Sequence, residues 1–192
     1  MPKLGMQPIR RTALVQATIA EIGESGTLDV TVSQIARRAG MSSALAHHYF
    51  GSKDHMLVAA MRYILTLFGA EARGAIAMAQ TPQARIEAIV RASFSPQNFR
   101  PDTVAAWLNF YVLAASSDPA RRLLNVYRKR LHSNLQYGFR TLTDDPAQAA
   151  TIIGALIDGV YIRQALTPDE TSPVVATQLV LNTVEKLLEP SK

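Results

Sequence analysis

Residues 31–57 read TVSQIARRAGMSSALAHHYFGSKDHML, and this stretch decides the fold. Thr31 and Gln34 have the spacing of a capping box, which predicts a helix from there through Ala39. Ile35, Ala36 and Ala39 form its inward side, and the two alanines let a second helix cross close by. Gly40 supplies the left-handed backbone that ends such a helix, and Met41 packs beneath the turn. Ser42 is a ready N-cap for a second helix, over 43–49, that carries serine, alanine, two histidines and a tyrosine in place of an apolar stripe. Two short helices joined by a glycine turn, the second showing short polar side chains, form a helix-turn-helix of the kind that enters a DNA major groove. Ser42, Ser43, His47 and His48 are then placed to reach base edges or phosphates, and Thr31 and Arg38 to touch the DNA backbone.

Helical spacing continues on both sides, and no run alternates with period two for long enough to make a strand. Val15, Ile19 and Ile22 mark a helix ending near Gly26, while Leu57, Met61, Ile64 and Phe68 mark a long one starting near Ser52. Further on, one device recurs: an N-cap residue followed by proline in the first helical position. Thr81-Pro82, Asp118-Pro119, Asp145-Pro146 and Ser172-Pro173 predict helices over 82–93, 119–142, 146–166 and 173–188, with another over 102–117 after a loop at 95–101. The expectation is an all-α chain of nine helices. Residues 1–54 make the DNA-binding domain and 55–192 a domain for ligand binding and dimerisation, with one helix running out of the first into the second.

Composition narrows the class. Of 192 residues, 48% are hydrophobic and 18% charged, which suits a globular core and argues against general disorder. The absence of cysteine excludes a disulfide scaffold and thiolate catalysis. The stretch MPKLGMQPIRR has no apolar core of signal-peptide length, and the apolar run 104–115 is interrupted by Asn109 and too short for a bilayer. The expectation is a cytoplasmic protein with no membrane partner. A net charge of +5 fits a polyanion such as double-stranded DNA, with Lys3, Arg10 and Arg11 as a basic arm and Arg37, Arg38 and Lys53 in the helix-turn-helix region. A second basic group, Arg121, Arg122, Arg128, Lys129 and Arg130, reads as a solvated helix face. No metal or catalytic set emerges: His47, His48 and His55 lack partners at zinc spacing, and Gly154 and Gly159 precede Val160-Tyr161 where a phosphate loop needs lysine. Neither an enzyme nor a bound cofactor is expected.

The last two predicted helices are apolar on more than one face, through Ile152, Ile153, Leu156, Ile157 and Val160 and then Val174, Val175, Leu179, Val180 and Val184. Such helices must be covered, and a four-helix contact with a second copy is the economical cover, which puts Leu156, Val160, Leu179 and Thr183 at a homodimer interface. Trp107, Phe110 and Tyr111 lie within about a turn of one another, and Asp158 and Tyr161 stand three apart on another helix. Rings with one carboxylate can hold a quaternary ammonium, although aromatics at helical spacing also read as core. An architectural DNA binder with no ligand is the alternative from another class, separated by whether any small molecule weakens operator binding.

Ala39-Gly40-Met41-Ser42, His48-Tyr49-Phe50, Ser52-Lys53-Asp54 and Leu57 together resemble the signature of TetR-type repressors. The departures are His47, where tyrosine is common, and Ala46, where a larger aliphatic is common. The resemblance implies the nine-helix fold of that family and makes Tyr49 and Lys53 phosphate contacts. Within the family, the opening stretch, SQIARRAGMS, AAWLNF and ALIDGVYIRQAL resemble the choline-responsive repressors of glycine betaine synthesis. That closer resemblance implies a dimer that silences betaine-synthesis genes and is relieved by choline. The runner-up is a repressor of other genes with a different cationic or lipophilic effector.

Overall fold

The structure, a computed structural model, describes residues 6–167 and 172–189. Nine helices and no strand are found among the described residues: α1 (Met6–Ser25), α2 (Val32–Arg38), α3 (Ser43–Phe50), α4 (Lys53–Met78), α5 (Pro82–Ser93), α6 (Pro101–Ser116), α7 (Asp118–Phe139), α8 (Pro146–Leu166) and α9 (Pro173–Leu188). Lys3 lies outside them, and the basic arm is shorter than expected because α1 already begins at Met6 and holds Arg10 and Arg11 in helix.

Local chemistry sets most of the starts. Thr81, Asp145 and Ser172 accept from the backbone N–H three residues on, ahead of prolines in the first turn of α5, α8 and α9. Asp118 departs from that expectation: Ser117 takes the cap position without a side-chain bond, and Asp118 is drawn to Arg121 one turn on. Pro101 makes α6 a fifth proline-led helix, with Arg100 in the cap position but without a side-chain cap bond.

The long α4 leaves the helix-turn-helix and packs against α1, α5, α6 and α7. The two halves meet again at α1 and α6. Gly23 sits so close to α6 that a Cβ there would lie 2.5 Å from the Asp102 Cβ, and the Asn109 amide donates to the Gly26 carbonyl at 3.2 Å. By length and composition α8 is apolar enough to cross a membrane, a property that no short apolar run had signalled. Here it is packed on α6, α7 and α9, with Ile153 and Ile157 fully buried.

The expected surplus of uncovered apolar surface on the last two helices is smaller than their sequence suggests. Val160 is 3% exposed within the single chain and therefore cannot belong to an outward face. Val180 and Val184 are likewise core. What remains outside is Leu179 at 48%, Val175 at 55% and Val174 at 77% on α9, with Ile162 at 40% and Leu166 at 69% on α8. Leu156 and Thr183 are half-buried.

Candidate DNA-binding and effector sites

The α2–α3 unit is held by bonds that span only a few residues. Thr31 Oγ1 accepts from Gln34 N–H at 3.2 Å and Gln34 Oε1 accepts from Thr31 N–H at 2.7 Å, completing the capping box. Gly40, at φ +66°, turns the chain while its N–H donates to the Arg37 carbonyl at 3.0 Å and Met41 N–H donates to Ala36 at 2.8 Å. That pair of bonds is a Schellman motif, which needs the left-handed residue glycine supplies. Ser42 Oγ accepts from Leu45 N–H at 3.2 Å and starts α3. Ala46 and Phe50 are its buried side, and Ser42, Ala44, His47 and His48 are exposed, so the small residue at 46 serves packing while His47 belongs to the outer face.

The far end of α3 is tied by cations and imidazoles, which suit a helix C-terminus. Arg11 donates to the Tyr49 carbonyl at 2.6 Å and stacks over Phe50, 4.3 Å from the ring centre. His47 Nδ1 lies 3.2 Å from the Gly51 carbonyl, which can only accept, so Nδ1 carries the hydrogen and Nε2 is left for an outside partner. Three sequence-derived phosphate candidates have internal partners. Arg38 is held by Glu21 at 2.6 Å and by Glu24, Lys53 Nζ donates to the Leu28 carbonyl at 3.0 Å, and Tyr49 is half-buried against the core. Thr31 and Ser43 lie at the exposed and half-exposed edge of the unit, and Arg37 stands exposed beside them.

Trp107, Tyr111, Asp158 and Tyr161 do come together. The Trp107 ring centre is 5.8 Å from Tyr111 and 6.0 Å from Tyr161, and Tyr111 Oη donates to Asp158 Oδ1 at 2.8 Å. Phe110, 1% exposed, backs Trp107 edge-on at 6.2 Å. Tyr161 donates to the Ser93 carbonyl and stacks on Phe94 at 5.8 Å. Sequence reasoning missed Tyr127 of α7, whose ring lies 4.7 Å from Trp107, nearer than any of the expected rings. Phe99 also escaped notice, although its ring meets that of Tyr161 at 5.4 Å.

Burial raises the Asp158 carboxyl above its ordinary value, while the Tyr111 hydrogen bond and the charge of Arg128 pull it back. Burial also pushes the Tyr111 and Tyr161 phenols up, so both stay neutral donors. Asp158 borders a cavity of about 170 Å³ between α7 and α8, with Arg128, His132 and Thr151 on its wall. The assembly has one half-buried carboxylate, neutral rings and hydroxyls around it, and a resident cation, Arg128, at the edge.

A profile described as bacterial regulatory proteins of the tetR family matches residues 14–60, and one described as the BetI-type transcriptional repressor C-terminal region matches 82–189. The HTH-type transcriptional regulator BetI of Brucella anthropi is 49% identical over 182 residues, 94% of each chain. The chain belongs to the TetR family. Its C-terminal region is of the BetI type. The BetI regulator of Rhizobium meliloti is 52% identical over 168 residues, 86% of this chain and 83% of that one. A transcriptional regulator from Saccharomonospora viridis, solved in complex with choline, has the same fold at 21% identity, with a TM-score of 0.81 over 94% of this chain and 98% of that one. This TetR-family member is therefore a DNA-binding transcriptional repressor and not an enzyme.

Proposed function

We propose that the chain is a homodimer that represses choline-to-glycine-betaine synthesis genes from a near-palindromic operator and is released by choline held at Asp158. The observation that carries this reading is the Tyr111–Asp158 hydrogen bond, a carboxylate set among the rings of Trp107, Tyr127 and Tyr161. A quaternary ammonium has no N–H to donate and is recognised by ring faces and charge, each favourable ring contributing about 0.5–2 kcal/mol. It would also offset the burial of the Asp158 charge. The BetI-named relatives and the choline-bound neighbour support the same ligand. The rings around Trp107 are in mutual contact, so entry requires them to part, and Arg128 is the charge that a ligand would replace beside Asp158.

Release requires that choline favour a dimer whose recognition helices are wrongly spaced for half-sites one helical turn apart, about 34 Å. Two rigid routes lead from the rings to α3. One is α4, through Phe68 against Tyr127 at 6.0 Å. The other is α6, which bears Trp107 and Tyr111 and meets α1 at Gly23 and the turn after it at Gly26. Leu156, Leu179 and Thr183 remain the proposed dimer face, joined by Ile162 and Val175 and without Val160. A regulator of chromosomal genes works in the cytoplasm, with no other cofactor invoked.

The test is operator binding by fluorescence anisotropy with choline titrated in. Asp158→Asn and Trp107→Phe should bind operator normally and need roughly ten-fold more choline for release, about 1.4 kcal/mol. Release of both variants at wild-type choline concentrations would remove the ligand site from Asp158.

A further inference from the structure

A cavity several times roomier than the one beside Asp158 has the wrong charge for choline. It is a cleft of about 840 Å³ between α4, α5 and α7, within the range of cavities that hold small molecules. Arg62, Arg73, Arg85 and Arg130 line it, and no aspartate or glutamate does among the described residues. None of the four is in an ion pair among the described residues. The cleft is also polarised along its depth. Arg62, Arg73 and Arg130 stand exposed at the rim, while Ala72, Ile89 and Leu131 are buried at the floor.

Arg85 is the most built part. Its guanidinium donates to Asn134 Oδ1 at 2.9 Å and lies over the Tyr137 ring, 4.8 Å from its centre. Asn134 is fixed in turn by donating to the Arg130 carbonyl at 3.0 Å. With that side chain held, the Arg85 Nε is buried and has no hydrogen-bond partner among the described residues. A buried donor left unmatched is unfavourable, and a guanidinium donor is matched best by an anionic oxygen.

We propose that this cleft is a second ligand site, for an anion carrying an apolar chain, of the long-chain carboxylate class. The head group meets the rim arginines and Arg85, and the chain lies on the apolar floor. The site is distinct from the Asp158 cluster and opposite to it in charge. The two share Tyr127, which lines the cleft on one side and meets Trp107 on the other, so Trp107, the single tryptophan, reports on occupancy.

The experiment titrates the full chain with sodium laurate below its micellar range, by calorimetry and Trp107 fluorescence. Parallel titrations use dodecanol, dodecyltrimethylammonium and inorganic phosphate. Saturable binding of laurate, with each of the other three at least about ten-fold weaker, is expected from charge-assisted contacts acting together with apolar burial. Arg62→Gln/Arg130→Gln, at exposed positions where folding is not at stake, should weaken laurate by about ten-fold or more, and Arg85→Gln should do the same. Circular dichroism checks that helix content is kept. Equal binding of laurate and the cationic amphiphile, no saturable laurate binding, or laurate binding unchanged in the double variant would each overturn the proposal. Choline release measured on the same samples reports separately on Asp158, so either reading can fail alone.

Discussion

The recognition unit α2–α3 and the ring cluster of α6, α7 and α8 handle charge in opposite ways. Around α3, the side chains offered outward are Ala44, His47 and His48, all in water, and the unit's own backbone is satisfied by caps before any partner arrives. In the cluster, the groups offered to a ligand are themselves core: Trp107 is 4% exposed, Tyr127 8% and Tyr161 6%, around a carboxylate that burial disfavours. A solvated polyanion is met by groups whose loss the fold barely registers. A small cation is met by groups that also hold the domain together. Substitutions therefore separate binding from stability in the first region and mix them in the second.

The sharpest test of that contrast compares truncation in each region. Trp107→Ala should destabilise the protein by about 3–5 kcal/mol, the range for emptying a large buried aromatic. His48→Ala should stay within about 0.5 kcal/mol of the parent, as exposed substitutions do. Urea unfolding at one fixed protein concentration reads both, since dimerisation makes stability concentration-dependent. A Trp107→Ala chain losing less than about 1 kcal/mol would mean that the cluster is not core.

Between those extremes lies the outer face of α8 and α9, which neither region controls. Leu179→Glu, on a side chain 48% exposed in the single chain, should give monomers in sedimentation. Operator affinity should then fall by roughly 10²-fold as the linkage of two half-site contacts is lost, with each helix-turn-helix intact. A Leu179→Glu dimer with normal operator affinity would put the interface elsewhere.

How much of each region was legible follows from the range of its interactions. Thr31 with Gln34, Gly40 with Arg37, Met41 with Ala36, and Ser42 with Leu45 act within five residues, so the turn could be read from a short window. Trp107, Tyr111, Asp158 and Tyr161 were legible as two pairs, each on its own helix. Tyr127 was not, because it sits among the arginines of α7 at core spacing with Leu124 and Leu131, and nothing local says which ring it will meet. Phe99 lies in the loop before α6, where periodicity is silent. Val160 was assigned to the wrong face because α8 has more than one apolar face and only its neighbours decide which points inward. The arginine cleft was invisible for the same reason, its four cations coming from three helices.

The buried charge gives a pH-dependent comparison. The folded-state pKa of Asp158 is raised, so between its ordinary value and that raised value the folded chain holds more protons than the unfolded one. Stability from this group therefore falls as pH rises through that window and is lowest once the carboxylate is fully ionised. Asp158→Asn, whose amide oxygen can still accept from Tyr111, should raise the melting temperature at neutral pH without choline and remove the further rise that choline produces. Choline release by the parent should weaken as pH drops toward the raised pKa. A variant melting below the parent at neutral pH would show that the carboxylate is stabilising, contrary to its burial.

The smallest effect expected concerns Lys53, and it asks whether the internal bonds of the recognition unit survive on DNA. In the free chain its amine is committed to Leu28, 3.0 Å away, rather than standing free. If it turns to a phosphate on the operator, Lys53→Ala should weaken all sequences alike and lower the slope of log affinity against log salt by about one per subunit. Ser43 and His48 substitutions should leave that slope alone and change which base pairs are preferred. If Lys53→Ala leaves the salt slope unchanged, the amine stays on Leu28 and is a brace between α4 and the loop after α1. Equal, sequence-independent weakening by Lys53, Ser43 and His48 substitutions would move base reading away from α3 altogether.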